Sequence, residues 1–112
     1  MSVLRNDGRW DASNVIFRDG RILLYEKGRT DAAYIGMHYI DYGLSVLPRA
    51  IVAEVVPPAR AYDLAALHGE LSRQGLLRGI EVYRRFYEIG SSAGLCELEE
   101  HLRSSAGQSE HD

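Results

Sequence analysis

Several short groups of residues carry side chains whose chemistry goes beyond packing. Glu26-Lys27 sets a carboxylate beside an ammonium just where a β-rich run ends. Asp41-Tyr42-Gly43 places an acid and a phenol before a glycine that interrupts another such run. A glycine there marks a bulge or a close backbone approach by a ligand. Asn14 opens the first of two β-rich runs, with Trp10 shortly before it. Glu88 stands in front of Ile89-Gly90 and the start of the last helical pattern. Each group also has an ordinary structural reading. Glu26-Lys27 alone reads as an exposed ion pair. Glu88 reads as a carboxylate favourable to the dipole of the helix that follows. Tyr42 reads as a half-buried aromatic, and Trp10 reads more readily as packing than as a stacking platform. Ser91-Ser92 reads as a helix cap and not as a nucleophile.

Other chemistries are disfavoured. Cys96 is the only cysteine, so no internal disulfide and no cysteine-based zinc site can form. A lone cysteine in a helical apolar pattern reads as a small core or boundary residue, and a reducing compartment fits it. His38, His68, His101 and His111 do not show metal-ligand spacing, and His68 reads as a boundary residue of its helix. The formal net charge of -3 argues against a general nucleic-acid binder. No run approaches the ~18 apolar residues of a membrane span, and the N-terminus lacks the pattern of a signal peptide. The expectation is a soluble cytoplasmic protein with no nucleic-acid or membrane partner.

The elements that must position these residues follow from local signals. Val3 and Leu4 read as a short strand, and Asn6-Asp7-Gly8-Arg9 as a turn. Asp19-Gly20 between two β-rich runs is a preferred two-residue hairpin turn, because both positions need positive φ. It sets Arg18 opposite Arg21, Phe17 opposite Ile22 and Ile16 opposite Leu23. Arg29 to Gly36 reads as a polar connection, and His38 to Leu47 as one long strand ended by Pro48. Pro48 starts a short helix that runs to about Val55. Tyr62 to Gln74 reads as an amphipathic helix, with Asp63 as N-cap, Leu64, Leu67 and Leu71 on one face, and Gly75 at its end. Leu76 to Val82 and Arg85 to Ile89 read as strands. A last helix begins at Ser91 or Ser92, with Leu95, Leu98 and Leu102 as its apolar face. The order gives a mixed α/β layer over residues 1–103, with a flexible polar tail at 104–112.

Three segments, in this order, resemble the family that joins a nucleoside triphosphate to a sugar 1-phosphate. They are Gly8-Arg9-Trp10-Asp11 through Asn14-Val15 to Tyr25-Glu26-Lys27, then Tyr39-Ile40-Asp41-Tyr42-Gly43-Leu44, then Arg85-Phe86-Tyr87-Glu88-Ile89-Gly90 with the capped helix behind it. The branch most similar contains heptose-1-phosphate guanylyltransferases and related uridylyltransferases. The resemblance implies the C-terminal half of a Rossmann-like nucleotidyltransferase domain. By that resemblance Glu26 accepts hydrogen bonds from sugar hydroxyls, Lys27 holds the sugar phosphate, and Asn14, Asp41 and Gly43 line the sugar pocket. Glu88 takes the place of the family's aspartate ligand for Mg²⁺.

The family's Gly-Gly-x-Gly-Thr-Arg-Leu loop and Lys-Pro segment, which grip the triphosphate, do not occur in this sequence. The expectation is therefore the sugar-phosphate-binding half of a sugar-1-phosphate nucleotidyltransferase, inactive alone: a truncated gene product, a late start, or one half of a split enzyme. Its expected partner is a complementary N-terminal half or a second copy of itself, because half a sheet leaves apolar surface uncovered. Two alternatives stand beside it: a non-catalytic sugar-phosphate-binding or interaction module that kept the fold, and a degraded product with no role. The base, guanine or uracil, and the sugar are open.

Overall fold

The computed structural model describes residues 1–109. The chain is a mixed α/β fold built on one curled five-stranded sheet in the order β3-β2-β4-β1-β5. The strands are β1 (Ser2–Arg5), β2 (Val15–Arg18), β3 (Arg21–Tyr25), β4 (Tyr39–Asp41) and β5 (Ile80–Val82). The helices are α1 (Ala32–Ile35), α2 (Arg49–Val55), α3 (Leu64–Arg73) and α4 (Ser92–Ser109). β1 pairs with β5 in parallel, and the other ladders are antiparallel. Among the described residues no helix is long and apolar enough to cross a membrane.

The hairpin forms as its turn dictates. Asp19 and Gly20 have φ of 51° and 76°, and Arg18 faces Arg21 and Phe17 faces Ile22. Ile16, however, faces Leu24 and not Leu23, because a bulge between Ile16 and Phe17 takes up one residue of β3. The bulge turns the strand so that Ile22 and Tyr25, three apart, are both buried.

The sheet curls because the segment before β5 returns to the hairpin tip. Ile22 N–H donates to the Leu77 carbonyl at 3.0 Å, and Gly79 N–H to the Gly20 carbonyl at 3.0 Å. Inside the curl lies the core: Val3, Val15, Ile22, Tyr25, Leu67, Leu71 and Leu77, with Phe17, Tyr39, Ile51 and Val52 packed against it. α3 lies on β3, and Gly69 is what lets it approach. A Cβ at Gly69 would sit 3.2 Å from the Tyr25 carbonyl oxygen. The helix-interior glycine that weakens a propensity reading is thus a docking point. Ser72 adds a second tie, accepting the Tyr25 N–H at 3.0 Å.

Asp63 caps α3, its carboxylate accepting the Ala65 N–H at 3.0 Å, and Gly75 follows its end in the left-handed region at φ 72°. α4 is capped by Ser91, whose hydroxyl accepts the Gly94 N–H at 3.0 Å.

Other elements differ from the sequence expectation. The expected long strand over 38–47 is a ladder only at Tyr39–Asp41, because Gly43 takes φ 99° and turns the chain out. The strand expected from Leu76 to Val82 begins only at Ile80, after the Leu77–Gly79 return. Arg85 to Ile89 is not a strand. The polar connection holds a short helix, α1, ended by Gly36 at φ 93°. The backbone stays helical through Ser109, where a polar tail from Ser104 was expected. Residues 110–112, with His111, lie outside the described residues.

His68 is no boundary residue. It is 2% exposed, packed edge-on to the Tyr25 ring at 5.5 Å, and its Nε2 has no hydrogen-bond partner among the described residues. Burial pushes its pKa below the ordinary 6.5; Asp41 opposes this, and the Met1 ammonium adds to it. A proton binds the unfolded chain more readily than the folded one, so stability rises with pH in this window. His68's contribution is complete above the unfolded value near 6.5 and is lost as pH falls through it toward the lower folded value. The ion-paired carboxylates Asp7, Asp31, Asp63 and Glu70 have lowered values and act further down, from their ordinary 3.8 and 4.5 downward. Urea midpoints should therefore fall between about pH 7 and pH 5, and His68→Leu should flatten that slope. An unchanged slope in the variant would refute the assignment.

Candidate functional site

The site is built where the open ends of β2 and β4 meet two loops. Asn14 is the stitch. Its backbone N–H donates to the Tyr39 carbonyl at 3.0 Å, its carbonyl accepts the Glu26 N–H at 3.0 Å, and its side-chain oxygen accepts the Asp41 N–H at 3.1 Å. Asp41, at the end of β4, folds its carboxylate over the next turn and accepts the Gly43 N–H at 2.9 Å. Only a residue tolerant of φ 99° can complete that turn, hence Gly43.

Asn6 holds the second wall. The sequence marked it only as a turn residue, yet it is fully buried. Its amide donates to the Asp11 carbonyl at 2.7 Å and to the Ser13 hydroxyl at 3.0 Å, and its oxygen accepts the Trp10 N–H at 3.2 Å. These bonds fix the loop that presents Arg9, Trp10 and Asp11. Burial with all its polar atoms engaged makes Asn6 a positioning residue.

The third wall is the segment Arg85 to Glu88. The rings of Trp10 and Tyr42 each meet Phe86 edge-on at 6.3 Å. The Arg85 guanidinium lies 5.2 Å from the Trp10 ring and 4.3 Å from the Tyr87 ring, and pairs with Glu97 of α4 at 2.7 Å. Tyr87 stacks on His101 of α4 at 4.4 Å. Aromatic and cation–π contacts therefore replace a strand ladder here.

Two adjoining cavities result. One, of about 420 Å³, is lined by Asp11, Asn14, Tyr25, Asp41, Tyr42, Gly43, Phe86, Tyr87 and Glu88, among others. The second, of about 450 Å³, shares Asp11, Phe86 and Glu88 and adds Arg9, Trp10, Arg85 and Glu97. Both volumes fall within the range of small-molecule sites. The first holds three carboxylates (Asp11, Asp41, Glu88) beside three aromatic rings on the 42 and 86–87 segments. The Arg9 guanidinium lies over the Trp10 ring at 5.9 Å and makes no ion pair among the described residues.

Asn14, Asp41, Gly43 and Glu88 are thus brought together from three distant stretches of sequence. Glu26 and Lys27 are not with them. They line a smaller cavity that shares Tyr25 with the first. Lys27 pairs with Asp63 at 3.0 Å, which raises the lysine pKa and lowers that of the acid. Glu26 pairs with Arg29 at 3.0 Å, and Arg29 also pairs with Asp31 at 2.8 Å. All three ion pairs are partly or largely exposed, so each contributes little to stability. Asp11, Tyr25 and Arg9 were missed as site residues, and so were Phe86 and Tyr87. The aromatic pair directly before Glu88 was the one signal in the sequence for part of this wall. Among the described residues no three His, Cys, Asp or Glu side chains group so as to hold a metal ion.

No family model matches the chain, and no curated protein or solved structure matches it either.

Proposed function

We propose that this chain binds a sugar 1-phosphate and serves as the acceptor side of a nucleotidyltransferase that forms an NDP-sugar and pyrophosphate. The observation that carries the reading is the convergence of Asn14, Asp41, Gly43 and Glu88 on one cleft, while Glu26 and Lys27, which the resemblance also assigns to the substrate, line a neighbouring cavity. The chemistry of the walls supports it. Ionised carboxylates accept from sugar hydroxyls, the Asn14 amide nitrogen donates, and aromatic faces cover the apolar side of a pyranose ring. Asp41 and Asn14 are half-buried and locked by backbone bonds, so their acceptors are pre-organised.

A phosphate beside three carboxylates needs positive charge. Arg9, free of an ion pair, supplies some of it from the adjoining cavity. Lys27 reaches an anion only by leaving Asp63. The donor set around Glu88 is of hard oxygens, the kind Mg²⁺ takes when one or two carboxylates share it with phosphate and water. Glu88 would hold such an ion together with phosphate and water oxygens; bound there, Mg²⁺ would neutralise phosphate charge.

Titrating hexosamine or heptose 1-phosphate with Mg²⁺, followed by amide NMR, tests the reading. Shifts are expected at Asn14, Asp41, Tyr42, Gly43 and Glu88, with affinity about millimolar or tighter. Asp41→Ala should weaken binding at least about tenfold. With GTP or UTP present, the chain alone should release no pyrophosphate. Shifts confined to other surfaces, or none, would sink the proposal.

A further inference from the structure

Arg18, Arg21 and Arg78 meet across two neighbouring pairings of the curled sheet. Arg18 is the register partner of Arg21 in the hairpin, and Arg21 is bridged to Arg78 on its other side. Two bonds flank the second pair: Ile22 N–H to the Leu77 carbonyl and Gly79 N–H to the Gly20 carbonyl, both at 3.0 Å. Residues directly opposite in an antiparallel pairing send their side chains to the same face, and like charges so placed repel. All three arginines are exposed, and none makes an ion pair among the described residues. Asp19 in the turn offsets only part of their charge. Glu81 is engaged elsewhere, accepting from the Tyr39 hydroxyl at 3.3 Å.

The cationic row runs into an aliphatic one. From Leu76 to Ile80 the chain alternates. Leu77 is buried, and a Cβ on Gly79 would point at Phe17 and Ile22, whereas Leu76, Arg78 and Ile80 are exposed. These three also border a groove of about 540 Å³ that Leu44 and Val46 help to wall. That volume suits a small molecule. Arg78 stands where the guanidinium row and the aliphatic groove join.

We propose that this junction binds an aliphatic phosphate, its head on Arg18, Arg21 and Arg78 and its hydrocarbon tail in the groove beside β5. Guanidinium forks match phosphate oxygens, and an anion between them ends their mutual repulsion. The tail removes the aliphatic walls from water. A bare anion would leave the groove wet, and a neutral apolar ligand would leave the arginines opposed. The site lies at the Asp19-Gly20 end of β2, whereas Asn14 stands at the other end, so it does not depend on the acceptor reading.

Decyl phosphate, titrated into the full chain below its micelle concentration, tests the proposal. Binding is expected in the micromolar range, with amide NMR shifts at Arg21, Arg78 and Ile80 and none at Asn14 or Gly43. Inorganic phosphate carries the head alone and should bind at least about a hundredfold more weakly. Decyltrimethylammonium, with the same tail and the opposite charge, should not displace the probe. Arg21→Gln should weaken binding about tenfold or more and yet raise the urea midpoint, because the middle charge takes part in both repulsions. A merely structural arginine would not give that pair of signs. Val46→Asp alters an exposed side chain and should fold, as circular dichroism will report, but weaken binding by a similar factor. Inorganic phosphate or the ammonium binding as well as decyl phosphate, shifts confined to the Asn14 cleft, or either variant binding like the wild type would overturn the proposal. So would a chain that ignores decyl phosphate and sediments only with anionic phospholipid vesicles, since the row would then serve a surface and not a single ligand.

Discussion

Gly79→Ala is expected to lower the unfolding free energy by about 3 kcal/mol, the upper end of what overpacking a core costs. The added Cβ would lie 2.6 Å from the Phe17 ring and 2.7 Å from the Ile22 side chain. Neither neighbour has room to yield. Ile22 is 1% exposed, and Phe17 is edge-packed on Tyr39 at 5.1 Å. The backbone cannot retreat either, because Gly79 N–H is bonded to Gly20 and Leu77 to Ile22. Gly90→Ala is the control: nothing lies within 4 Å of its Cβ position, so the change should stay within about 0.5 kcal/mol. Urea denaturation of both variants settles the matter. A loss under about 1 kcal/mol for Gly79→Ala would mean that the curl is looser than described.

The second large effect is expected at Gly94, in the first turn of α4. A Cβ there would overlap the carbonyl oxygen of Glu88 and press on the Ser91 hydroxyl that caps the helix. Gly94→Ala must therefore shift the Glu88 segment or the helix start. Sugar-phosphate binding should weaken by about tenfold or more, since small misplacements of a positioned group cost that much. Gly107→Ala, in the same helix with nothing among the described residues within 4 Å of its Cβ position, should leave binding unchanged and favour the helix by up to about 1 kcal/mol. Amide chemical shifts of Glu88 and Ile89 give a readout independent of ligand. If Gly94→Ala leaves those shifts in place, the contact between α4 and Glu88 is not what positions the carboxylate.

Where a feature is encoded within a few residues, the sequence revealed it. Asp19-Gly20 announced its turn, Asp63 and Gly75 announced the ends of α3, and Gly43 announced an irregularity at the end of β4. The bulge opposite Phe17 was hidden, because a one-residue slip leaves the apolar alternation readable in either register. Arg85 to Ile89 has strand-like composition, but its aromatics are satisfied by Trp10, Tyr42 and His101, contacts no local pattern displays. Asn6 read as a turn residue and His68 as a boundary residue, and their burial depends on loop and helix docking from far along the chain. For the site, Asn14, Asp41, Gly43 and Glu88 came from the family resemblance. Glu26 and Lys27 line a separate cavity that shares only Tyr25 with this one.

β1 sits in the interior of the sheet, bonded to β4 on one side and β5 on the other, so Ser2 is neighbour to Ile80. During synthesis β1 would thus leave the ribosome well before β5, and its ladder would stay incomplete until then. Pairings across such long stretches of chain form slowly, and an exposed early strand is open to wrong partners meanwhile. The Asp19-Gly20 hairpin, local and self-registering, is the element that can form first and offer the others a template.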